Sequence, residues 1–587
     1  MTRHLLRLFL ACMLAATPLA AHSREPVQVR FIGINDFHGH LESGNLTLFL
    51  ADPGGAPGSR EIPIPTGGGA ALAGLVKKLR EGSRHNLMVA GGDLIGAAPL
   101  VSSLFRHEST VEFLNSIKLD VSTLGNHEFD AGVAELRRLM RGGCAGASPD
   151  GTFSSCTQGR YAGTRFKYIA ANVVDARNRP LVAPYVIRYF EGIPVGLIGG
   201  VTRTTPQMVT PSGIRGFTFL DEASAANQAA AQLRARGVKA MVAIFHEGIE
   251  LGTVQKRGDW NDTSCPDAHG PLLDIARRLD PAINLVFSGH THQGYRCEID
   301  GRLLIQGTSY GRGVSVVDVE LDRRTGTLKP VRSINLPVLN DRTTDAQREK
   351  LAAATPQPFA AVLREARPDA AVAERVAVYS ALVKPRAERR VGTISGRFDR
   401  ESASDSSAGR LVADAQLAAT RALGSRVAFM NPGGIRANLE CRAPPCDVTF
   451  GTVFTMQPFS NSLIVMTLTG EQLKALLEEQ LKRASGEPKF LIPSEGFTYT
   501  WQDDAPLGDH VRDMRLDGEP IEPARRYRVT VNSFLAEGGD GFELLKDGTE
   551  REGGGPDIDA VIAYLGAAER APVTVPRATR TGKEKAR

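Results

Sequence analysis

Along most of the 587-residue chain, short apolar runs alternate with stretches whose apolar residues recur at helical spacing. Five short runs are rich in apolar residues: 27–34, 86–90, 121–124, 240–245 and 283–287. Runs of this length and composition predict strands buried on both faces, as in the sheets of α/β proteins. Residues 69–80 and 224–236 predict helices between them, and the Gly/Pro-rich residues 52–69 predict a surface loop. Residues 303–306 and 314–321 alternate, which predicts a hairpin-like edge closing this region near Leu336.

A different pattern follows. Residues 341–388 are rich in Ala, Arg, Glu and Gln with few aromatics, and predict a helical connector in place of a core. Alternation then resumes, with a helix predicted over 407–423 (Leu411, Ala415 and Ala418 on one face) and strands over 427–430 and 463–468. Thr469 and Gln472 form a capping box for a helix that turns Leu473, Leu476, Leu477 and Leu481 inward. A chain this long exceeds a single core. The predicted division is 1–23 as a signal peptide, 26–336 and 389–570 as two α/β domains, 337–388 as the helical linker, and 571–587 as a basic, frayed tail.

Polar clusters stand directly after the five runs. They are Asn35-Asp36-Phe37-His38-Gly39, Gly91-Gly92-Asp93, Gly125-Asn126-His127-Glu128-Phe129-Asp130, Phe245-His246-Glu247 and Ser288-Gly289-His290-Thr291-His292. Ligands of α/β sheets collect on loops beyond the strand ends, so the five clusters can share one cleft. In Asp36-x-His38 and His290-x-His292 the spacing predicts extended segments with both side chains on one side. Any one of these residues is equally at home in a turn or a satisfied core. Together they supply the hard and borderline donors, with a carboxylate to bridge, that two divalent cations need.

The five clusters resemble, in order, the signature of the binuclear metallophosphoesterases: D-x-H, G-D, G-N-H-E/D, H and G-H-x-H. The resemblance implies an N-terminal four-layer αββα domain of the calcineurin-like type. It implies one cation on Asp36, His38, Asp93 and His292, and a second on Asp93, Asn126, His246 and His290, with Asp93 as the bridge. It also implies that His127 contacts phosphate, oriented by Asp130. The residues themselves offer Asp130 another role, since it precedes Val133, Leu136 and Met140 at helical spacing and suits an N-cap. Zn, Mn, Co and Mg all remain open as the two metal ions.

The second half resembles the C-terminal α/β substrate-binding domain of secreted 5′-nucleotidases, including the periplasmic UDP-sugar hydrolase type. The carriers are Asn431-Pro432-Gly433-Gly434-Ile435-Arg436, Gln457-Pro458-Phe459-Ser460-Asn461 and the segment from Asn532 to Phe542. By this resemblance Phe459 and Phe534 sandwich a base, Asp540 holds ribose hydroxyls, Arg436 binds phosphate, and Asn431 and Asn461 join the substrate site. The family's further phosphate-binding arginines have only Arg397 and Arg400 as counterparts, at a different spacing.

Composition narrows the picture further. A net charge of +5 with 23% charged residues is far from a nucleic-acid-binding profile. Arg3, His4 and Arg7 flank an apolar run over 8–16 followed by small residues, which predicts a secretory signal cleaved after Ala21 or Ser23. Without Cys12 six cysteines remain; 15 pairings exist, and proximity favours Cys144 with Cys156, Cys265 with Cys297 and Cys441 with Cys446. The expectation is a periplasmic or secreted hydrolase that removes phosphate from nucleoside 5′-monophosphates. It has no nucleic-acid partner, no stable membrane anchor and no obligatory protein partner. A 2′,3′-cyclic nucleotide phosphodiesterase/3′-nucleotidase or UDP-sugar hydrolase on the same scaffold is the second reading. A non-catalytic nucleotide-binding surface protein is the third.

Overall fold

The computed structural model describes residues 25–44, 46–53, 61–146, 153–251, 259–402, 404–481 and 488–582. The expected signal peptide lies outside these residues, as does part of the loop predicted over 52–69. The apolar runs form strands Val27–Ile34, Asn86–Ala90, Val121–Thr123, Ala240–His246 and Ile283–Phe287. Two six-stranded sheets share them. In the first, the order is Leu328–Pro337, Gly313–Leu321, Val27–Ile34, Asn86–Ala90, Val121–Thr123, Lys167–Ile169. In the second it is Gly294–Ile299, Arg302–Gly307, Ile283–Phe287, Ala240–His246, Ile193–Val201, Tyr185–Phe190.

The sheets pack face to face through Phe31, Val89 and Val317 on one side and Leu197, Ile244 and Leu285 on the other, all buried. Helices Gly69–Glu81 and Glu108–Ser116 cover the outer face of the first sheet, and Glu222–Ala235 and Pro271–Arg278 that of the second. The result is the four-layer αββα arrangement. Within each sheet the motif strands run parallel, so their C-terminal ends, and the polar clusters after them, emerge at one edge.

The expected hairpin edge is corrected. Arg302–Gly307 pairs with Ile283–Phe287 and Gly294–Ile299, whereas Gly313–Leu321 pairs with Val27–Ile34 and Leu328–Pro337 in the other sheet. The polar residues Ser315 and Asp318 within the second run are interior and hydrogen-bonded. Asp318 accepts from Arg30 Nε and Nη2 at 2.7 and 3.0 Å, and Ser315 donates to Asn335 Oδ1 at 2.7 Å. Residues 308–312 therefore cross from sheet to sheet.

The linker is helical, with Asp345–Ala353, Phe359–Glu365 and Ala370–Ala387, but it is no mere connector. Phe359, Leu363, Val372, Tyr379 and Val383 are buried in a core that runs from Leu72 of the first half to Phe450 and Phe454 of the second. Tyr379 also donates to Glu112 at 2.6 Å.

The second half centres on a five-stranded sheet ordered Ile492–Pro493, Val427–Met430, Arg526–Asn532, Ser462–Thr469, Thr549–Pro556. Helices Ser407–Thr420 and Asp557–Ala567 pack together beside it. Helix Gly470–Glu478 opens on the Thr469/Gln472 capping box and buries Leu473, Leu476 and Leu477. The tail expected to fray contributes strand Ala578–Thr581, parallel to Phe497–Gln502. Residues 583–587 lie outside the described residues; within the rest Arg577 is anchored on Asp414 at 2.6 and 2.8 Å and Arg580 on Asp503 at 2.8 Å. The three local cysteine couples are disulfides. Among the described residues no helix is long and apolar enough to cross a membrane.

Candidate active site

At the shared strand edge, Asp36, His38 and His292 bring donor atoms within 4.8 Å of one another, and Asp93, His246 and His290 form a second such group. Asp93 lies between them, with Oδ2 at 3.1 Å from His246 Nε2 and 3.6 Å from His38 Nε2. Asn126 Oδ1 is 3.0 Å from His246 Nε2 and 3.1 Å from His290 Nδ1.

Backbone carbonyls set the imidazole tautomers. His38 Nδ1 donates to Gly96 O at 2.9 Å and His246 Nδ1 to Gly91 O at 2.7 Å, which turns both Nε2 atoms toward the shared space. His38 Nε2 and His292 Nε2 stand only 3.2 Å apart. Converging imidazole nitrogens and carboxylate oxygens of this kind fit a pair of divalent cations.

These side chains do not converge by strand alternation, as the spacing suggested. Asp36, His38, Asp93, His290 and His292 have φ of 47, 45, 49, 75 and 59°, so the chain enters the left-handed region at each. Such residues cost on the order of 1–3 kcal/mol each and persist only where surroundings over-determine them. Here Asp36 N–H donates to Gly92 O and His38 N–H to Asp93 O, both at 3.0 Å.

Buried Glu128 ties the next two loops together, accepting from the N–H groups of Asp93, Leu94 and Gly125 at 2.9, 2.9 and 2.6 Å. A Cβ on Gly125 would lie 2.1 Å from Asp93 Oδ1, so only glycine permits this approach.

Burial pulls the His246 pKa down, but the charge and hydrogen bond of Asp93, with Asp36 beyond, raise it to about 10. Burial and the charge of His246 push His290 down to about 3. Without cations, then, His246 keeps its proton at neutral pH while His290 is already a free donor. A cation must displace that proton, so metal affinity should rise with pH, by up to about tenfold per unit below the His246 pKa. Affinities measured at pH 6, 7 and 8 check this; a pH-independent affinity would contradict it.

His127 belongs to neither donor group. Its Nδ1 lies 3.0 and 2.9 Å from the two oxygens of Asp130, and its backbone N–H donates to Asp93 Oδ1 at 2.9 Å. Burial opposes protonation, but the charges of Asp130 and Asp93 prevail and raise the ring's pKa. Asp130 is not the N-cap of the following helix. Gly132–Arg141 starts after Ala131 with no side-chain cap.

A cleft of about 510 Å³ opens from this centre to the second half of the chain. Asp93, Asn126, His127, Asp130, His290 and His292 line one wall, while Asn431, Arg436, Phe459, Asn461, Phe534 and Asp540 line the other. Asp36, His38 and His246 lie fully buried behind. The Phe459 ring stacks toward His127 with centroids 5.7 Å apart and 20° between planes, and Arg436 sits 5.9 Å from the same ring. Asp540 Oδ2 accepts from Asn431 Nδ2 at 2.8 Å, and Asn532 Nδ2 donates to Asn431 Oδ1 at 3.0 Å.

Arg397 and Arg400 separate. Arg400 lines the cleft and donates to Arg436 O at 2.7 Å, whereas half-exposed Arg397 pairs with Asp399 and Glu440 outside it. Tyr310, Met208, Val209, Glu250 and Lys489 also line the cleft, and no sequence motif pointed to them. Tyr310 rides on the sheet-to-sheet crossing, its ring 5.2 Å from that of His292.

Residues 29–294 match the calcineurin-like phosphoesterase family, and residues 390–547 match the family of 5′-nucleotidase C-terminal domains. Endonuclease YhcR of Bacillus subtilis is 32% identical over 518 residues, 87% of this chain but only 37% of that protein's length. A protein of Treponema pallidum named "Probable 5′-nucleotidase" is 25% identical over 607 residues, 92% of each chain. The crystal structure of a 5′-nucleotidase precursor from Thermus thermophilus superposes with a TM-score of 0.72 at 25% identity, over 95% of this chain and all of that one. The chain belongs to the hydrolase family that joins a calcineurin-like phosphoesterase domain to a 5′-nucleotidase C-terminal domain.

Proposed function

We propose that the protein is an exported, metal-dependent phosphohydrolase that removes phosphate from nucleoside 5′-monophosphates. The observation that carries this reading is the single cleft in which the two donor groups face Phe459, Phe534, Arg436 and Asp540. When bound, two divalent cations would supply a hydroxide nucleophile at neutral pH and neutralise the phosphoryl oxygens. Asp36, His38, Asp93 and His292 would hold one cation, and Asp93, Asn126, His246 and His290 the other. His127, whose pKa the charges of Asp130 and Asp93 raise against burial, donates to a phosphoryl oxygen as charge builds there. Arg436 offers forked donors to the phosphate. Phe459 and Phe534 stack on the base and Asp540 accepts from the ribose hydroxyls. Export is supported by the three disulfides, which form and persist in oxidising compartments.

One observation favours a second activity on the same scaffold. Arg400 adds a cation beside Arg436 in the cleft, which supports a reading in which a second phosphate, as in a nucleoside diphosphate or UDP-sugar, is bound as well.

The test compares AMP with ribose 5-phosphate, which keeps ribose and phosphate but has no base. Phe459→Ala or Phe534→Ala should lower kcat/KM for AMP relative to ribose 5-phosphate by about tenfold to a hundredfold, the worth of base stacking. Equal losses on both substrates would make these rings packing residues and remove the base clamp. Assays of UDP-glucose and 2′,3′-cyclic AMP on the same preparations decide the second activity.

A further inference from the structure

We infer that Asp557 is a positioning residue for nucleotide binding, acting as the clasp that closes the loop carrying Phe459. This rests on the base-clamp reading above. The loop is short, running from Gln457 at the end of helix Phe450–Met456 to Asn461 just before strand Ser462–Thr469. Asp557 grips both of its ends. Gln457 Nε2 donates to Asp557 Oδ2 at 2.9 Å, and the backbone N–H of Asp557 donates to Asn461 O at 2.9 Å.

Between these grips Ser460 takes φ of +54°, a conformation that a serine in an open loop would abandon. The clasp thus holds the one bend that presents the Phe459 ring, 5.7 Å from His127, to the cleft. Ser533 Oγ adds a bond to Asn461 Oδ1 at 3.2 Å, which couples the Phe459 loop to the segment bearing Phe534.

The cost of this arrangement indicates a purpose. Asp557 has no solvent exposure, and the partners gripping it are an amide side chain and backbone groups. Burial pushes its carboxyl up to about 7. A buried carboxyl group is expensive unless its hydrogen bonds are worth keeping. At the start of helix Asp557–Ala567 the carboxyl also accepts from the backbone N–H of Ile558, while the side chains of Ile558 and Val561 pack into the core.

The test measures kcat and KM for AMP and ribose 5-phosphate in Asp557→Ala, Asp557→Asn and Gln457→Met, with Phe459→Ala as the reference. Asp557→Ala should lower the AMP to ribose 5-phosphate ratio of kcat/KM by about tenfold, the lower end of what base stacking is worth, and chiefly through KM for AMP. The backbone N–H that holds Asn461 O survives in every variant, so the side-chain grip on Gln457 is what is tested; Asp557→Asn keeps an acceptor for Gln457 and should restore most of the ratio. Gln457→Met removes the amide at nearly constant volume, and should reproduce the Asp557→Ala loss even if that variant folds poorly. A lowered melting temperature with an unchanged ratio in Asp557→Ala and Gln457→Met would reduce Asp557 to a fold residue and overturn the inference. A ratio that falls in Phe459→Ala alone overturns the clasp and leaves the base clamp standing. A ratio unchanged in Phe459→Ala overturns the clamp itself.

Discussion

Asp93→Asn protein is expected to purify without its metal pair and without phosphatase activity. The carboxylate faces both donor groups, 3.1 Å from His246 Nε2 and 3.6 Å from His38 Nε2, while its other oxygen accepts the backbone N–H of His127. The amide keeps the shape of the side chain. It loses the charge that raises the pKa of His246 and that would offset two divalent cations. Removing a mere hydrogen-bond partner of a metal ligand typically costs 10–100-fold, so loss of the shared carboxylate should lower kcat/KM by more than about 100-fold. Elemental analysis and kinetics on one preparation check this. A variant that retains two equivalents of metal would remove Asp93 from the bridging position.

His127→Ala should separate chemistry from metal binding. The ring stands outside both donor groups, its Nδ1 committed to Asp130. Both cations should therefore remain, while kcat falls by about 10²–10³, the usual cost of one donor aimed at developing negative charge. KM should change much less, because the bond strengthens as the transition state forms. Asp130→Asn, which leaves the imidazole but weakens its charge, should fall between wild type and His127→Ala. A His127→Ala protein lacking one metal would make the ring a ligand.

What was legible in the sequence was the framework that carries the site. Runs such as Ile283–Phe287 are apolar enough to be read as buried strands, and the polar cluster after each marks the sheet edge where ligands gather. The geometry within the clusters was not legible. His38, His290 and His292 take left-handed φ that a histidine does not announce, because the conformation is imposed by bonds to distant loops such as His38 N–H to Asp93 O.

Buried polar residues misled in the same way. Asp318 and Ser315, which lie on opposite faces of their strand, are both interior, and only their partners Arg30 and Asn335, far off in sequence, reveal it. Arg577 and Arg580 read as a solvated tail until Asp414 and Asp503 are seen beside them. Tyr310 reaches the cleft on the crossing between the two sheets, which carries no periodic signal.

The central claim is that this cleft performs metal-dependent hydrolysis of nucleotides. Its most direct test is phosphate release from AMP by chelator-stripped protein to which Zn, Mn, Co and Mg are returned in turn. The account predicts no release from the stripped protein and recovery with at least one metal, saturating at two equivalents per chain. Release that survives removal of metal, or AMP binding with no release under any of the four, would contradict it.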